Sequence, residues 1–242
     1  MELLSPEGLR LDGRRAAELR RLACRLGQAR GADGSAALQM GNTRVSAGVY
    51  GPREPAQRPR GDPHLGEVRV ELAFMPFSTS ERRKRTRGDK RSAEMAAVLK
   101  ELVEATVLLE LLPRSEVVVC VQVLQADGGV LPAVVNATVL ALADAGIPLR
   151  ALVAACAAGS IDGSPVLDMN HAEEIQIGSG VAAAVRTHDA KVLCLQTESV
   201  YQLDAFDELL RSAAAGCAAV ADFMRQELKG QTAALAEKMG LT

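Results

Sequence analysis

The chain has 242 residues, of which 48% are hydrophobic and 24% are charged, and its formal net charge is −2. This length suits one large or two small globular domains with a sizeable core, and the near-neutral charge excludes a global attraction to nucleic acid, so that any basic patch must be local. Because aromatic residues make up only 2% and tryptophan is absent, the core must be aliphatic, and binding by stacking of bases on aromatic rings is disfavoured.

The first strands are predicted between residues 18 and 50. Roughly alternating stretches there flank turn signals at Asp33-Gly34 and Gly41-Asn42, a pattern typical of short strands joined by tight turns. Residues 51–65 hold four prolines without periodicity and predict an exposed loop, after which we expect a strand at about 67–75.

A helix and a buried strand follow. Apolar residues recur at three- and four-residue steps from Met95 to Leu109, which predicts an amphipathic helix capped by Ser92 and ended before Pro113. The β-branched run "EVVVCVQVLQ" (116–125) predicts a strand that is buried on both faces.

The second half of the chain repeats the succession of strands and helix more loosely. After a Gly-Gly turn, residues 132–145 predict a mostly apolar helix, and a long Ala-rich helix is expected from about Leu203 to Leu228, followed by a tail. The strands expected between these helices lie at 151–161, after a hairpin turn at Asp162-Gly163, near 181–186 and near 191–197. Strands followed by helix in each half predict an α+β or α/β domain with an internal pseudo-repeat.

The sharpest charge anomaly is the basic stretch "ERRKRTRGDKR" (81–91). Arg91 falls near the predicted helix N-terminus, where backbone N–H groups and the macrodipole already favour an anion. Arginine and lysine at such a point suit contacts with phosphodiesters, and a solvated loop is the structural alternative. The basic residues of the stretch are Arg82, Arg83, Lys84, Arg85, Arg87, Lys90 and Arg91.

Acidic residues gather after the predicted hairpin turn. Asp162, Asp168, Glu173 and Glu174 lie close in sequence, with His171 between them. Carboxylates on neighbouring strands can hold Mg²⁺ together with water and a substrate phosphate. Spacing alone favours the structural alternative, in which Asp162 makes the Asp-Gly turn and the other carboxylates lie at the surface.

The segment "QADGGVLPAVVNA" (125–137) places a glycine pair between a strand and a helix. Gly128 and Gly129 could bring backbone N–H groups close to an anion at the helix N-terminus, or they could simply form the corner, and Pro132 fits either interpretation as a first-turn residue. The sequence shows no Ser-His-Asp or Cys-His set and no Walker or Rossmann fingerprint.

The cysteines and the N-terminus indicate a reducing compartment. The five cysteines lie far apart without a CxxC pair, which predicts neither a zinc site nor a disulfide framework. The first residues contain no apolar signal-peptide core, and no apolar run approaches the length of a membrane span. We therefore expect an intracellular, soluble protein without a membrane partner.

Taken in order, several segments resemble the RNase PH family and, within it, the exosome-ring subunits that correspond to the catalytic archaeal subunit. The resemblance covers roughly residues 8–230. The segments that carry it are "RLDGRR" (10–15), "DGSAALQMGNTRVSAGVYGP" (33–52), "STSERRKRTRGDKRSAEM" (78–95), "VQVLQADGG" (121–129), "NATVLALADAGIPLR" (136–150) and "DGSPVLDMNHAEE" (162–174).

The resemblance implies an α+β RNase PH fold, in which two βαβα-like halves of the ribosomal protein S5 domain 2-like type pack around a central helical layer. It implies a single domain over 16–230, with an N-terminal extension at 1–15 and a tail at 231–242. The partners that it implies are other RNase PH-like subunits in a six-membered ring, S1/KH-type cap proteins, a separate exosome nuclease and single-stranded RNA. The implied location is the nucleus, including the nucleolus, and the cytoplasm.

Active family members degrade RNA from its 3′ end with inorganic phosphate as the attacking group and release nucleoside diphosphates. By resemblance, Asp168 matches a catalytic carboxylate, and Glu174 stands where active members have aspartate. Arg91 matches an arginine that contacts RNA or phosphate, and Lys90 matches a neighbouring basic position. Asp168 and Glu174 are thus candidate ligands for Mg²⁺, although a non-catalytic subunit of such a ring would require no cofactor.

The 51–65 loop gains a second interpretation from the resemblance. In this family the matching loop lies near the entrance of the pore, where basic residues guide single-stranded RNA. Arg58 and Arg60 are the implied candidates, and a solvated proline-rich loop remains the structural alternative.

The main departure from the family pattern follows the glycine pair. Active members have Gly-Gly-Thr/Ser-Arg, whose hydroxyl and guanidinium hold the attacking phosphate, whereas this chain has Val130 and Leu131. Charge-assisted hydrogen bonds contribute about 1.5–3 kcal/mol each, and loss of one preorganised contact commonly lowers the rate roughly a hundred- to a thousandfold. We therefore expect a non-catalytic ring subunit. The alternatives are a phosphorolytic exoribonuclease with a rebuilt phosphate site and, less favoured, metal-dependent hydrolysis.

Overall fold

The alternating pattern near the N-terminus forms three antiparallel strands. The computed structural model describes residue 5 and residues 8–55, 64–82, 89–161, 163–178, 180–197 and 199–240. Within these ranges β1 (Leu22–Leu26) pairs with β2 (Gly34–Met40), which pairs with β3 (Thr43–Arg53). The tight turn between β2 and β3 contains Gly41 at a φ of +59°, so the turn predicted at Gly41-Asn42 is confirmed.

Two further strands complete the first sheet. β4 (Glu67–Phe74) pairs in parallel with β5 (Glu116–Gln125), because α1 (Lys90–Thr106) carries the chain back between them. β5 also pairs antiparallel with β3, so the strand order is β1-β2-β3-β5-β4. The bounds of β5 are those predicted from its β-branched run.

The second sheet has four antiparallel strands in the order β7-β6-β8-β9. Its strands are β6 (Val153–Ile161), β7 (Ser164–Leu167), β8 (Gly180–Arg186) and β9 (Val192–Thr197). Ile161 pairs with Ser164, which confirms the predicted hairpin, although Asp162 itself lies outside the described residues.

Helix α2 (Val130–Asp144) forms the centre of the molecule and packs against strands of both sheets. Every residue of α2 from Val130 to Leu142 is buried, as expected for a helix that is apolar on all sides. Its one amide side chain, Asn136, exchanges hydrogen bonds of 2.8 and 2.7 Å with the backbone of Ala155 in β6. α4 (Leu203–Met239) covers the outer face of the second sheet. The predicted single α+β domain with a central helical layer is therefore confirmed.

Three predicted helix boundaries were wrong. Asp89 rather than Ser92 precedes α1, and Ser92 lies in the first turn, where its hydroxyl donates to the Asp89 carbonyl oxygen at 3.0 Å. The helix also ends earlier than expected, at Thr106. α4 continues to Met239 instead of ending near Leu228, because the segment after Gly230 is rich in good helix formers.

A short helix, α3 (His171–Ile177), was not predicted. Its sequence signal is a capping box, in which Asn170 accepts the N–H of Glu173 at 3.0 Å and the Glu173 carboxylate accepts the N–H of Asn170 at 2.9 Å. The carboxylates of Glu173 and Glu174 therefore lie on a helix and not on strands.

The N-terminal segment also packs against the domain. Arg10 is buried, and the N–H of Leu167 donates to the carbonyl oxygen of Ala16 at 2.8 Å. The domain boundaries expected at 15/16 and 230/231 stay predictions. Over the described ranges, no helix has the length and apolar character needed to cross a membrane.

Candidate functional site

The glycine pair forms a left-handed turn between β5 and α2. Gly128 and Gly129 have φ values of +77° and +59°, which residues other than glycine rarely adopt. A Cβ atom on Gly128 would lie 2.5 Å from the Met169 carbonyl oxygen, and one on Gly129 would lie 2.7 Å from Nη2 of Arg20. The glycines are therefore required by the backbone and by close packing against the segment that follows β7.

Asp168, the matched catalytic carboxylate, lies under this turn in a buried ion pair with Arg20. Nη2 of Arg20 donates to Oδ1 at 2.7 Å, while Nε and the backbone N–H of Arg20 donate to Oδ2 at 3.0 and 2.9 Å. The side chains are 5% and 1% exposed. Both carboxylate oxygens of Asp168 are thus engaged by one arginine.

Arg20 also binds the turn itself. Its guanidinium donates to the carbonyl oxygens of Asp127 at 2.6 Å and Gly128 at 3.1 Å. Burial by itself lowers the pKa of Arg20, but the hydrogen bond and charge of Asp168, with the charges of Asp127 and Glu174, outweigh it and raise this pKa above its ordinary value. Arg20 therefore stays charged and clamps the glycine turn to Asp168.

Glu174 contacts the other side of the turn. Its Oε1 accepts the backbone N–H of Gly129 at 2.7 Å, directly before the first residue of α2. This N–H is the kind of donor that a bound anion uses at a helix N-terminus. The anion at this amide is therefore a side chain of the protein.

The helix that carries Glu174 is fixed by a second buried ion pair. Arg10 donates through Nε to Oε1 of Glu173 at 2.8 Å and through Nη2 to Oε2 of the same carboxylate, and both side chains are 0% exposed. Arg10 and Arg14 also donate to the carbonyl oxygens of Leu167 and Asp168, at 2.5 and 3.0 Å. The "RLDGRR" signature thus holds the β7–α3 connection in place.

A cavity of about 440 Å³ opens above the turn. Val130 and Leu131 form part of its wall, with exposed fractions of 7% and 8%. Its charged lining residues within the described chain are Arg91, Glu94 and Glu174. Its apolar lining residues include Met95, Val98, Val130, Leu131, Pro132, Met169, Ile175 and Val181. The site is thus a cavity of mixed polar and apolar lining, with more carboxylates than cations among its described residues.

The predicted basic residues divide into three groups. Arg91 is exposed at the cavity, with Cζ 5.4 Å from the centre of the Phe74 ring. Lys90 is exposed and pairs with Glu94 at 3.6 Å, and Arg82 is exposed at the end of its described segment. The remaining candidates lie outside the described residues, namely Arg58, Arg60, Arg83, Lys84, Arg85 and Arg87.

The carboxylates do not fit a Mg²⁺ site as they stand. Both oxygens of Asp168 accept from Arg20, and Oε1 of Glu174 accepts from Gly129. Within the described part of the chain, no group of three or more His, Cys, Asp or Glu side chains is placed to hold a metal ion. Magnesium binding and the catalytic role of Asp168 therefore stay predictions.

Sequence reasoning missed Arg20 and the part played by Arg10. Arg20 lies just before β1, 148 residues from Asp168, and no local motif marks it as the partner of that carboxylate. Arg10 lies within the "RLDGRR" signature, which was visible in the sequence, but its contact with Glu173 spans 163 residues. Only the fold brings these pairs together.

The sequence and the fold are those of one protein family. The model of the RNase PH family, described as "3′ exoribonuclease family, domain 1", matches residues 18–148, and the chain belongs to this family. Full-length relatives make the assignment more specific. The chain is 42% identical over 235 residues to the exosome complex component RRP41 homolog of Arabidopsis thaliana, covering 96% of each protein.

Relatives from an animal and an archaeon agree with the plant protein. The chain is 43% identical to the exosome complex component RRP41 of Homo sapiens over 88% of each protein. It is 39% identical to the exosome complex component Rrp41 of Thermococcus onnurineus over 99% of this chain and 96% of that protein.

Solved structures share the same architecture. Rice Rrp46 is 31% identical and superposes with a TM-score of 0.80 over 90% of this chain and 100% of that chain. A chain of the Archaeoglobus fulgidus exosome with RNA bound to the active site superposes with a TM-score of 0.78 at 23% identity, over 91% of this chain and 93% of that chain. The second likeness shows the fold alone.

Proposed function

We propose that this chain is a non-catalytic RNase PH-like subunit of an RNA exosome core ring. In this proposal it scaffolds the ring and guides single-stranded RNA during 3′-to-5′ processing and degradation by a nuclease on another chain. Support for the exosome comes from relatives that are exosome components and that match this chain over nearly its whole length. Its neighbours would be other RNase PH-like subunits and S1/KH-type cap proteins, in the nucleus, the nucleolus and the cytoplasm.

The observation that carries the proposal is the wall of the cavity at Val130 and Leu131. Phosphorolysis needs a bound phosphate as nucleophile, and a phosphate needs charged or hydrogen-bonding ligands, because its burial among apolar groups is costly. Side chains at these two positions donate no hydrogen bond, and the amide of Gly129 is already bonded to Glu174. This arrangement leaves the nucleophile without a side-chain clamp.

Guidance of RNA is supported by charge at the same cavity. Arg91 is exposed at its rim, next to Lys90 and at the end of the basic stretch 81–91. Such contacts neutralise RNA phosphates and give affinity without reading sequence. We expect Arg91→Ala to weaken the binding of single-stranded RNA by the assembled ring and to lower its salt slope by about one unit or less. The matched control is Arg225→Ala, because Arg225 is an exposed arginine on α4 that pairs with Asp222.

Phosphate-dependent 3′-to-5′ exoribonuclease activity is the alternative function. Arg91 and Glu174, both matched to active-site positions by resemblance, do line the cavity. A rebuilt site would have to hold phosphate through Arg91 or other basic residues of the 81–91 stretch in place of positions 130 and 131.

One assay separates these functions. Rings are assembled with this chain as their only unmutated RNase PH-type subunit and incubated with single-stranded RNA, Mg²⁺ and phosphate, with an active family member as the positive control. The proposal predicts no release of nucleotides by the ring. Nucleoside diphosphates that require added phosphate would establish the alternative, and monophosphates formed without phosphate would indicate hydrolysis.

A further inference from the structure

We infer that Glu174 is the resident anion of this cavity and the residue that excludes free anions from it. The inference rests on the proposed function and deepens it, because it concerns which ligands the same site admits. The amide of Gly129 donates to Oε1 of Glu174 at 2.7 Å, so the donor that opens α2 already has a charged acceptor. A free phosphate would have to displace this carboxylate or bind beside it.

Glu174 is held in this position and is not a freely rotating surface side chain. It is half-buried, and the helix that carries it is fixed by the buried pair of Arg10 with Glu173 and by the capping box at Asn170. Its own backbone N–H donates to the Asn170 carbonyl oxygen at 2.9 Å. Displacement of the carboxylate therefore requires a change of side-chain rotamer against a fixed helix.

The charge beside the glycine turn also opposes an anion at the amide of Gly129, away from Arg91 at the rim of the cavity. Within the described residues its lining carries two carboxylates, Glu94 and Glu174, against one cation, Arg91. The second nearby cation, Arg20, has its donors directed to Asp168 and to the carbonyl oxygens of Asp127 and Gly128. A phosphate that enters would meet like charge at close range in a partly apolar cavity, where screening by water is weak.

It follows that two separate features keep phosphate out. The apolar side chains at positions 130 and 131 supply no polar ligand, and Glu174 occupies the amide of Gly129, which is one of the backbone donors at the start of α2. By the resemblance, active members combine these two ligands with the shorter aspartate, whereas Glu174 reaches the amide of Gly129. Supplying a hydroxyl and a guanidinium at 130 and 131 alone should therefore fail to create a phosphate site in this chain, whereas the same change without the Glu174 carboxylate should succeed.

The test measures binding of inorganic phosphate to the full chain by ³¹P NMR titration at constant ionic strength. The variants are Val130→Thr/Leu131→Arg, the same pair with Glu174→Ala, and the same pair with Glu94→Ala as the matched control. Glu94 supplies a carboxylate to the same cavity but pairs with Lys90 at 3.6 Å. Circular dichroism and thermal unfolding establish that each variant is folded. Glu174→Gln, which keeps an acceptor for Gly129 and removes the charge, replaces Glu174→Ala if that variant is unfolded.

We expect the pair alone to bind phosphate within a few-fold of the unmodified chain. The triple variant without Glu174 should bind at least about tenfold more tightly, since hydrogen bonds to charged groups are the strong ones and a like charge has been removed. The Glu94 control should change the affinity by less than about threefold. The inference is overturned if the pair alone binds as tightly as the triple variant, if the Glu94 control gains as much as the Glu174 variant, or if the triple variant gains no affinity. The proposed function is decided independently by the products of the unmodified ring.

Discussion

The ion pair between Asp168 and Arg20 gives the sharpest test of what the matched catalytic carboxylate does in this chain. In Asp168→Asn the side chain keeps its shape and loses its charge, so the guanidinium of Arg20, which is 5% exposed, remains buried without a counter-ion. Removal of one partner of a buried ion pair costs about 3–5 kcal/mol. For a chain of this size, such a loss corresponds to a fall in melting temperature of roughly 6–20 °C.

The matched control is Asp189→Asn. Asp189 pairs with Arg186 at 3.3 Å, and the two side chains are 40% and 24% exposed, so the loss should stay within about 1 kcal/mol. Both variants are compared with the unmodified chain by urea unfolding. A lower midpoint with an unchanged m-value shows that the free energy of unfolding has fallen while the surface exposed on unfolding has stayed the same. If Asp168 served only catalysis, its replacement would leave the free energy of unfolding unchanged or raise it. A loss below about 1 kcal/mol in Asp168→Asn would therefore refute the structural role of the pair.

Three further predictions follow from single positions. Gly129→Ala should destabilise the chain by more than about 2 kcal/mol, because a positive φ costs roughly 1–2 kcal/mol and the new Cβ would lie 2.7 Å from Nη2 of Arg20. The control is Gly146→Ala, which should show the conformational cost alone, because Gly146 has a φ of +71° and nothing lies within 4 Å of its Cβ. Equal losses of stability in thermal unfolding of the two variants would contradict the contact with Arg20. Asn136→Ala should cost at least about 2 kcal/mol, since it leaves the buried N–H and C=O groups of Ala155 without partners, while Asn42→Ala at an exposed turn should cost less than about 1 kcal/mol. Burial raises the pKa of Cys217 from 9.0 to about 12, so at pH 8 its thiolate should be roughly a thousandfold rarer than in the unfolded chain and iodoacetamide should label it only after denaturation. Because the unfolded thiol loses its proton first, this cysteine should also make stability fall as the pH rises above 9, and rapid labelling of the folded chain would contradict its burial.

Regular elements could be read from the sequence wherever local periodicity is strong. The run 116–125 became β5 with the predicted bounds, because β-branched residues fit a strand that is covered on both faces. Helix ends were less accurate, since Asp89 and Ser92 are both suitable capping residues and lie only three positions apart. The seven-residue helix α3 escaped prediction because it is too short to show a periodic pattern, although its capping box was present.

The site could be predicted only in part. The sequence alone placed a glycine turn before α2 and showed that Val130 and Leu131 follow it, because the need for a positive φ and the loss of hydrogen-bonding side chains are both local properties. The partners of the carboxylates were not local. Asp168 meets Arg20 across 148 residues, and Glu174 meets the amide of Gly129 across 45 residues.

The sequence by itself therefore determined most of the regular elements, which depend on residue type and short-range spacing, and left the α+β and α/β classes both open. Its resemblance to the RNase PH family indicated the α+β class and the missing phosphate ligands. Only the tertiary structure decided that Asp168 is engaged by a buried arginine and that Glu174 occupies the backbone donor at the start of α2. Such contacts join segments from different parts of the chain, and their geometry is set by how the two sheets pack around α2. A charged side chain has the same identity whether it is free or paired, so the sequence shows that a carboxylate is present and the fold decides what that carboxylate binds.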